Sequence, residues 1–172
     1  MIPAGLIDNA AEIFGNDIVF GGQVSRVLPD SIKKTIDSFI DSDTDAFVAL
    51  TEMVGFCASA RRDRFIKCNY SLFDSNPDVL ADGSLGEREY VPCEARGTCP
   101  HEGKLCKLPA GLSKREVEIV KLNHAGLLRR EIADALNLSV NTVPVHFKNI
   151  LKKTGLQRNV DLVRFAAERN IR

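Results

Sequence analysis

"LSVNTVPVHFKNILKKTG", residues 138–155, decides how the rest of the chain is read. On a helix advancing about 100° per residue, Val140, Val143, Phe147, Ile150, Leu151 and Thr154 fall on one face. Asn141, Val145, Lys148 and Lys152 fall on the opposite one. The first stripe is built to pack and the second to meet water or a polyanion. Ser139 is the expected N-cap and Gly155 the C-terminal stop. An ordinary solvated helix carries the same two stripes, so this segment settles nothing alone.

Its neighbours narrow the reading. Upstream, Ser113 with Glu116 three residues later forms a capping-box signature, ahead of Val117, Ile119, Val120 and Leu122. Gly126 ends that helix. "LLRREIADALN", residues 127–137, predicts a short second helix with Leu128, Ile132, Ala135 and Leu136 buried. "VDLVRFAAERNI", residues 160–171, predicts a fourth after Gly155. A short helix, a turn of a few residues and a longer basic helix are the arrangement of a helix-turn-helix. In that arrangement Lys148 and Lys152 can bind phosphates or guanine edges. Asn141 can pair with adenine and Val145 can meet a thymine methyl. Thr142 is also placed to read base edges, Asn149 joins the DNA-contacting set, and Arg129 and Arg130 open the second helix where backbone phosphates would lie.

From Leu112 to Ala166 the chain resembles the LuxR/GerE-type DNA-binding domain of bacterial transcription regulators. The matching elements are Arg115-Glu116-Val117, Gly126, Glu131-Ile132-Ala133, Leu136, Ser139, Thr142-Val143, His146, Asn149-Ile150 and Lys153. The resemblance implies an all-α, four-helix domain whose third helix enters the major groove of double-stranded DNA. It also implies a fourth helix that often supports a homodimer on paired half-sites. Pro144 departs from the pattern, since the family usually has lysine or another polar residue there, at a position that commonly contacts DNA. If Ser139 caps the helix, Pro144 is its fifth residue, and an interior proline costs about 3 kcal/mol. A start later by a residue or more would leave Pro144 among the first four donors, which have no intrahelical partner. A distorted or late-starting first turn is therefore expected, with altered base preference. The alternative is a protein-interaction module that keeps the fold without specific DNA binding.

Charge supports two units. Residues 107–172 hold 13 of the 23 Lys+Arg but only 6 of the 23 Asp+Glu, a balance of +7. Residues 1–106 carry −7. A basic block attached to an acidic one suits a nucleic-acid-binding unit joined to a regulatory unit, although the asymmetry could also hold the halves together. "LPAG" at 108–111 marks the break, giving an accessory domain at 1–107 and a helix-turn-helix domain at 108–172. The overall class is mostly α, with an α+β accessory domain.

In the accessory half, Leu6, Ile7, Ala10, Ala11, Ile13 and Phe14 recur at helical spacing up to Gly15. "NDIVFGGQVSRVL" predicts a short strand or loop. "PDSIKKTIDSFIDS" predicts a helix burying Ile32, Ile36, Phe39 and Ile40, and "TDAFVALTEMVGF" another, capped by Thr44 and stopped at Gly55. "RFIKCNYSLFD" alternates like a weak strand. "SNPDVLADGSLGE" has turn chemistry; Val79 and Leu85 stand where a calcium loop needs glycine and glutamate. The half lacks the βα alternation of a phosphoacceptor receiver. With no tryptophan in the chain, it also does not resemble the acyl-homoserine-lactone sensor.

"CEARGTCPHEGKLCKL", residues 93–108, supplies the other candidate site. Cys93, Cys99 and Cys106 with Cys68, or His101 in its place, could hold structural zinc, which takes four S/N ligands. An iron–sulfur cluster, reduced thiols packed in a small core and a reversible disulfide are the alternatives. A structural role is expected first, and a metal- or redox-sensing regulator is the alternative reading. Cys57, between Phe56 and Ala58, reads as core, and Arg96, Glu102 and Lys104 as a solvated rim. Nothing completes a catalytic pocket, so no enzyme is expected. Without a basic leader or a long apolar run, a cytoplasmic location and no membrane partner are expected.

Overall fold

The computed structural model describes residues 10–14, 17–20, 23–72 and 76–171. The chain divides into two compact units, Met1–Val91 with Lys104–Lys107, and Pro92–Gly103 with Leu108–Arg172. The cysteine-rich stretch is therefore shared: Cys93 and Cys99 belong to the second unit and Cys106 to the first.

In the first unit, β1 (Ala11–Phe14), β2 (Asp17–Phe20) and β3 (Gln23–Ser25) form an antiparallel sheet in the order β1-β2-β3. Ile13 pairs with Ile18, and Ile18 with Ser25. Three helices follow: α1 (Asp30–Ser42), α2 (Thr44–Val54) and α3 (Ala58–Asn69). Ile32, Ile36 and Ile40, spaced by four, point the apolar edge of α1 into a core with Ile13, Ile18, Leu50, Phe65 and Ile66. Asp37 and Arg62 link α1 to α3 through two hydrogen bonds, Nε to Oδ1 at 2.9 Å and Nη2 to Oδ2 at 2.6 Å. The Arg61 guanidinium lies 4.5 Å above the Phe47 ring and links α3 to α2.

Three local expectations fail here for identifiable reasons. Ala11–Phe14 is a strand, and Leu6 and Ile7 lie outside the described residues. The strand pairs with β2, and its remaining backbone groups at Ala11 and Ile13 go to distant partners. Ala11 N donates to Val79 O at 2.8 Å, Ala11 O accepts from Asp78 N and Val79 N, and Ile13 N donates to the Asp78 carboxylate at 2.6 Å. Asp78 is thereby buried as a strand cap. The 65–72 alternation is broken by α3, whose buried residues Phe65, Ile66 and Asn69 follow helical spacing. Asn69 hides this from a hydropathy reading, because its side-chain amide donates to Phe65 O at 3.0 Å and is fully buried. Asp43, not Thr44, caps α2, accepting from Ala46 N at 3.0 Å. Gly86 is a true close approach: a Cβ there would lie 2.1 Å from Pro77 O.

The second unit holds α4 (Lys114–His124), α5 (Arg129–Ala135), α6 (Val143–Thr154) and α7 (Asp161–Glu168), entered by a 3-10 turn at Pro109–Gly111. Each helix contributes to one core: Val117, Ile119 and Val120; Ile132 and Ala133; Val143, Phe147 and Ile150; Leu162, Phe165 and Ala166. Two residues expected to be buried by α5 are at the surface. Leu128 is 71 % exposed and Ala135 is exposed, while Ala133 is buried. Over seven helical residues a shift of two positions turns the face by more than half a circle, and the core selects Ile132-Ala133.

Candidate nucleic-acid interface

The turn between α5 and α6 sets the presentation of the candidate DNA-contacting residues. Asn137 adopts a left-handed conformation (φ 52°), which asparagine tolerates better than most residues, and lets Leu138 N donate back to Ala133 O at 2.8 Å. Ser139 then closes a turn instead of capping α6. Its carbonyl accepts from Thr142 N at 2.9 Å and its hydroxyl from Asn141 N at 3.3 Å. Helix α6 starts only at Val143, with Val145 N and His146 N both donating to Thr142 O. Pro144 is thus the second helical residue, where an N–H would have no intrahelical acceptor. The late start expected from the sequence is what the structure shows. The apparent fifth-residue proline conflict does not arise. Gly155, at φ 70°, closes the helix as expected.

Outward from the core, Asn141, Val145, Lys148, Asn149 and Lys152 are exposed, Val145 by 56 %, and Thr142 is half-buried. From Val145 the steps of three and four residues keep Lys148 and Lys152 on one stripe. Lys148 and Lys152 have no carboxylate partner among the described residues, nor does Arg130. Arg129 is exposed too, and its guanidinium lies 5.5 Å from the Phe147 ring centroid, which ties the start of α5 to α6.

Lys153, next to Lys152, is engaged differently. Its ammonium donates to Glu116 Oε2 at 2.6 Å, and the Glu116 side chain is only 6 % exposed. Glu116 also accepts from Ser113 N at 2.7 Å and donates its own N–H to the Ser113 hydroxyl, completing the capping box of α4. Burial pushes the Glu116 carboxyl up. The Lys153 hydrogen bond, the two Ser113 bonds and the Lys153 charge outweigh it and hold the carboxyl below its ordinary value. Arg115 adds a second tie, donating to Leu136 O at the end of α5. Sequence pattern named Glu116 as a cap but gave no sign of the Lys153 bond, which spans 37 residues.

The cysteine-rich segment is organised by other groups. The five cysteines are free thiols, Cys57 exposed and Cys68, Cys93, Cys99 and Cys106 half-buried. Among the described residues no group of three or more His, Cys, Asp or Glu side chains is placed to hold a metal ion, so the structure does not bring the expected ligands together. His101 is buried in the second unit. Arg96 and Glu102 are not a solvated rim: the Arg96 side chain is 1 % exposed and lies 3.6 Å from Glu102. Glu102 accepts from Gly97 N at 2.7 Å, and Lys121 on α4 donates to Gly97 O at 2.6 Å. Asn170 donates to Pro92 O at 3.2 Å. Pro92–Gly103 is thereby held internally by Arg96 and Glu102 and fastened to the helices by Lys121 and Asn170. Cys57 is likewise not core. It precedes α3 at the surface, and a hydrogen bond with Ser59, then one with the Ala60 backbone, lower its thiol pKa.

Four helices in this order, with a turn-linked pair and a solvent-facing basic stripe, define a helix-turn-helix unit. Residues 110–166 match the family described as bacterial regulatory proteins, luxR family, and form a domain of that family. The chain is also similar to the response regulator protein VraR of Staphylococcus aureus, in strains Mu3, NCTC 8325 and COL. Each is 29 % identical over 149 residues, covering 87 % of this chain and 66 % of the relative. The chain thus spans just under two thirds of the length of these curated relatives. No solved structure matches it. No helix among the described residues is long and apolar enough to cross a membrane.

Proposed function

We propose that this chain is a transcription regulator that binds double-stranded DNA sequence-specifically through the α5–turn–α6 element. The observation that carries the reading is the outward stripe of α6: two unpaired lysines beside Val145, on a helix whose opposite face is buried in the unit's core. Arg129, Arg130, Lys148 and Lys152 anchor phosphates, and Asn141, Thr142, Val145 and Asn149 address base edges. The luxR-family match at 110–166 and the relatives named as response regulators support the same reading. The chain acts as a homodimer through α7, where Val163 and the preceding Val160 are 40 % and 65 % exposed beside buried Leu162. The accessory unit tunes that binding.

A selection of genomic fragments by the full chain, followed by anisotropy titrations across salt, tests this. Selected fragments should outcompete random DNA. Four phosphate contacts per bound copy should give a slope of log K against log salt of roughly −3.6 per copy. Equal affinity for every fragment would replace this reading with the interaction module, in which the fold persists without base readout.

A further inference from the structure

The first unit contains a cleft of about 450 Å³ between β1–β2, the Arg26–Leu28 turn, α1 and α3. That volume lies in the range of roughly 300–1,000 Å³ usual for small-molecule sites. Its floor is apolar and comes from three elements: Ile13 on β1, Ile18 on β2 and Ile66 on α3, each buried in the core. Val27 and Leu28 close one side.

Arg26, Lys33, Arg62 and Lys67 line the walls, against Asp17 and Asp63. Three of these cations are already engaged. Arg26 lies 3.6 Å from Asp17, Lys33 donates to Asp30 at 2.9 Å, and Arg62 gives two donors to Asp37. A guanidinium has five N–H donors, so Arg62 keeps three. Lys67 has no partner among the described residues. Asp17, Asp30 and Asp37 pair with three of the cations and Asp63 also lines the cleft, so the walls carry unused donors and no net positive charge, which suits a single negative charge better than a dianion.

We propose that this cleft binds a small organic monoanion with a short apolar tail, a carboxylate. Lys67 and the free edge of Arg62 hold the carboxylate, and the tail lies against Ile13, Ile18 and Ile66. The anion satisfies donors that otherwise face solvent, and the tail gains van der Waals contact with the isoleucine floor and the side formed by Val27 and Leu28. The assignment does not depend on DNA binding.

Hexanoate is the probe, with hexanol and inorganic phosphate as comparators, read by methyl NMR of the full chain labelled at isoleucine. Hexanoate at roughly millimolar concentration should shift the Ile13, Ile18 and Ile66 methyls and leave Ile119 and Ile150 of the second unit in place. Lys67→Gln, at an exposed position, should weaken hexanoate about tenfold. Val27→Trp, at a site 68 % exposed, should block the cleft while the Ile32, Ile36 and Ile40 methyls keep their positions. No shift of the three floor methyls overturns the proposal. So does an equal response to hexanol, which removes the anion requirement, or tighter binding of phosphate, which removes the tail.

Discussion

Two adjacent lysines on α6 should separate DNA affinity from fold stability. Lys152 is exposed with no described carboxylate partner, whereas Lys153 donates to the nearly buried Glu116 at 2.6 Å. Each phosphate contact contributes about 0.9 to the slope of log K against log salt, so removing one costs about eightfold in affinity at 0.1 M salt. That is about 1.2 kcal/mol per bound copy. Lys152→Ala should therefore weaken every DNA sequence alike, lower the slope by about 0.9 per copy, and leave the melting temperature unchanged. Lys153→Ala should do the reverse. A hydrogen bond between charged groups contributes roughly 1.5–3 kcal/mol, and the half-exposed lysine places this one toward the lower end. The two variants should be compared by anisotropy at four salt concentrations and by thermal unfolding followed by circular dichroism. A lower melting temperature for Lys152→Ala, or a lost salt slope for Lys153→Ala with its melt unchanged, would refute the division of roles.

Three further outcomes follow from other sites. The Glu116 carboxyl titrates below its ordinary value of 4.5, so its contribution to stability is full above about pH 4.5 and fades as pH falls through the folded value. Acid unfolding of the helical unit should then be less steep in Glu116→Gln, and an unchanged profile would show the carboxylate to be idle. Pro144→Ala should alter stability by no more than about 0.5 kcal/mol, since the second helical residue has no N–H acceptor to lose; a gain near 3 kcal/mol would mean that the proline sits inside the helix. Cys57 should be the first thiol alkylated by iodoacetamide at neutral pH, being the exposed one with a lowered pKa, and Ser59→Ala should slow it. Peptide mapping that finds Cys99 or Cys106 modified first would contradict the exposure assigned here.

What was legible in the sequence was what depends on neighbours a few residues away. The capping box of Ser113 and Glu116, the stop at Gly155 and the apolar edge of α1 are all local patterns, and each is present. The two-stripe division holds within α6, where helical spacing assigns Phe147 inward and Lys148 outward, but Val140, expected on the inward stripe, precedes the helix and is 43 % exposed. Failures occur where a distant partner decides. Ala11–Phe14 is a strand because it pairs with β2 and because Asp78 and Val79, more than sixty residues away, take backbone groups of Ala11 and Ile13. Arg96 is buried beside Glu102 in a segment held by Lys121, which donates to Gly97 O from a helix 24 residues on. The cysteines drew a metal reading from composition. Spacing along the chain says nothing about which unit each thiol joins, and the structure does not gather them.

Pro144 bears on how this element can reach DNA, beyond whether it folds. The N-terminal turn of a helix commonly offers its open N–H groups to a phosphate. Here Asn141 N and Thr142 N are spent on Ser139, and Val145 N and His146 N on Thr142 O. Pro144 has no N–H at all. Val143 N is the remaining donor of that turn without a partner among the described residues. Phosphate contact by the backbone is thus nearly closed off at the start of α6, and affinity falls to side chains further along it and on α5. In the proposed DNA-binding role, Lys148, Lys152, Arg129 and Arg130 should then carry most of the salt dependence. For the same reason, replacing Pro144 with lysine should strengthen binding to all sequences before it alters base preference, and a change in preference without a change in overall affinity would place position 144 at a base edge.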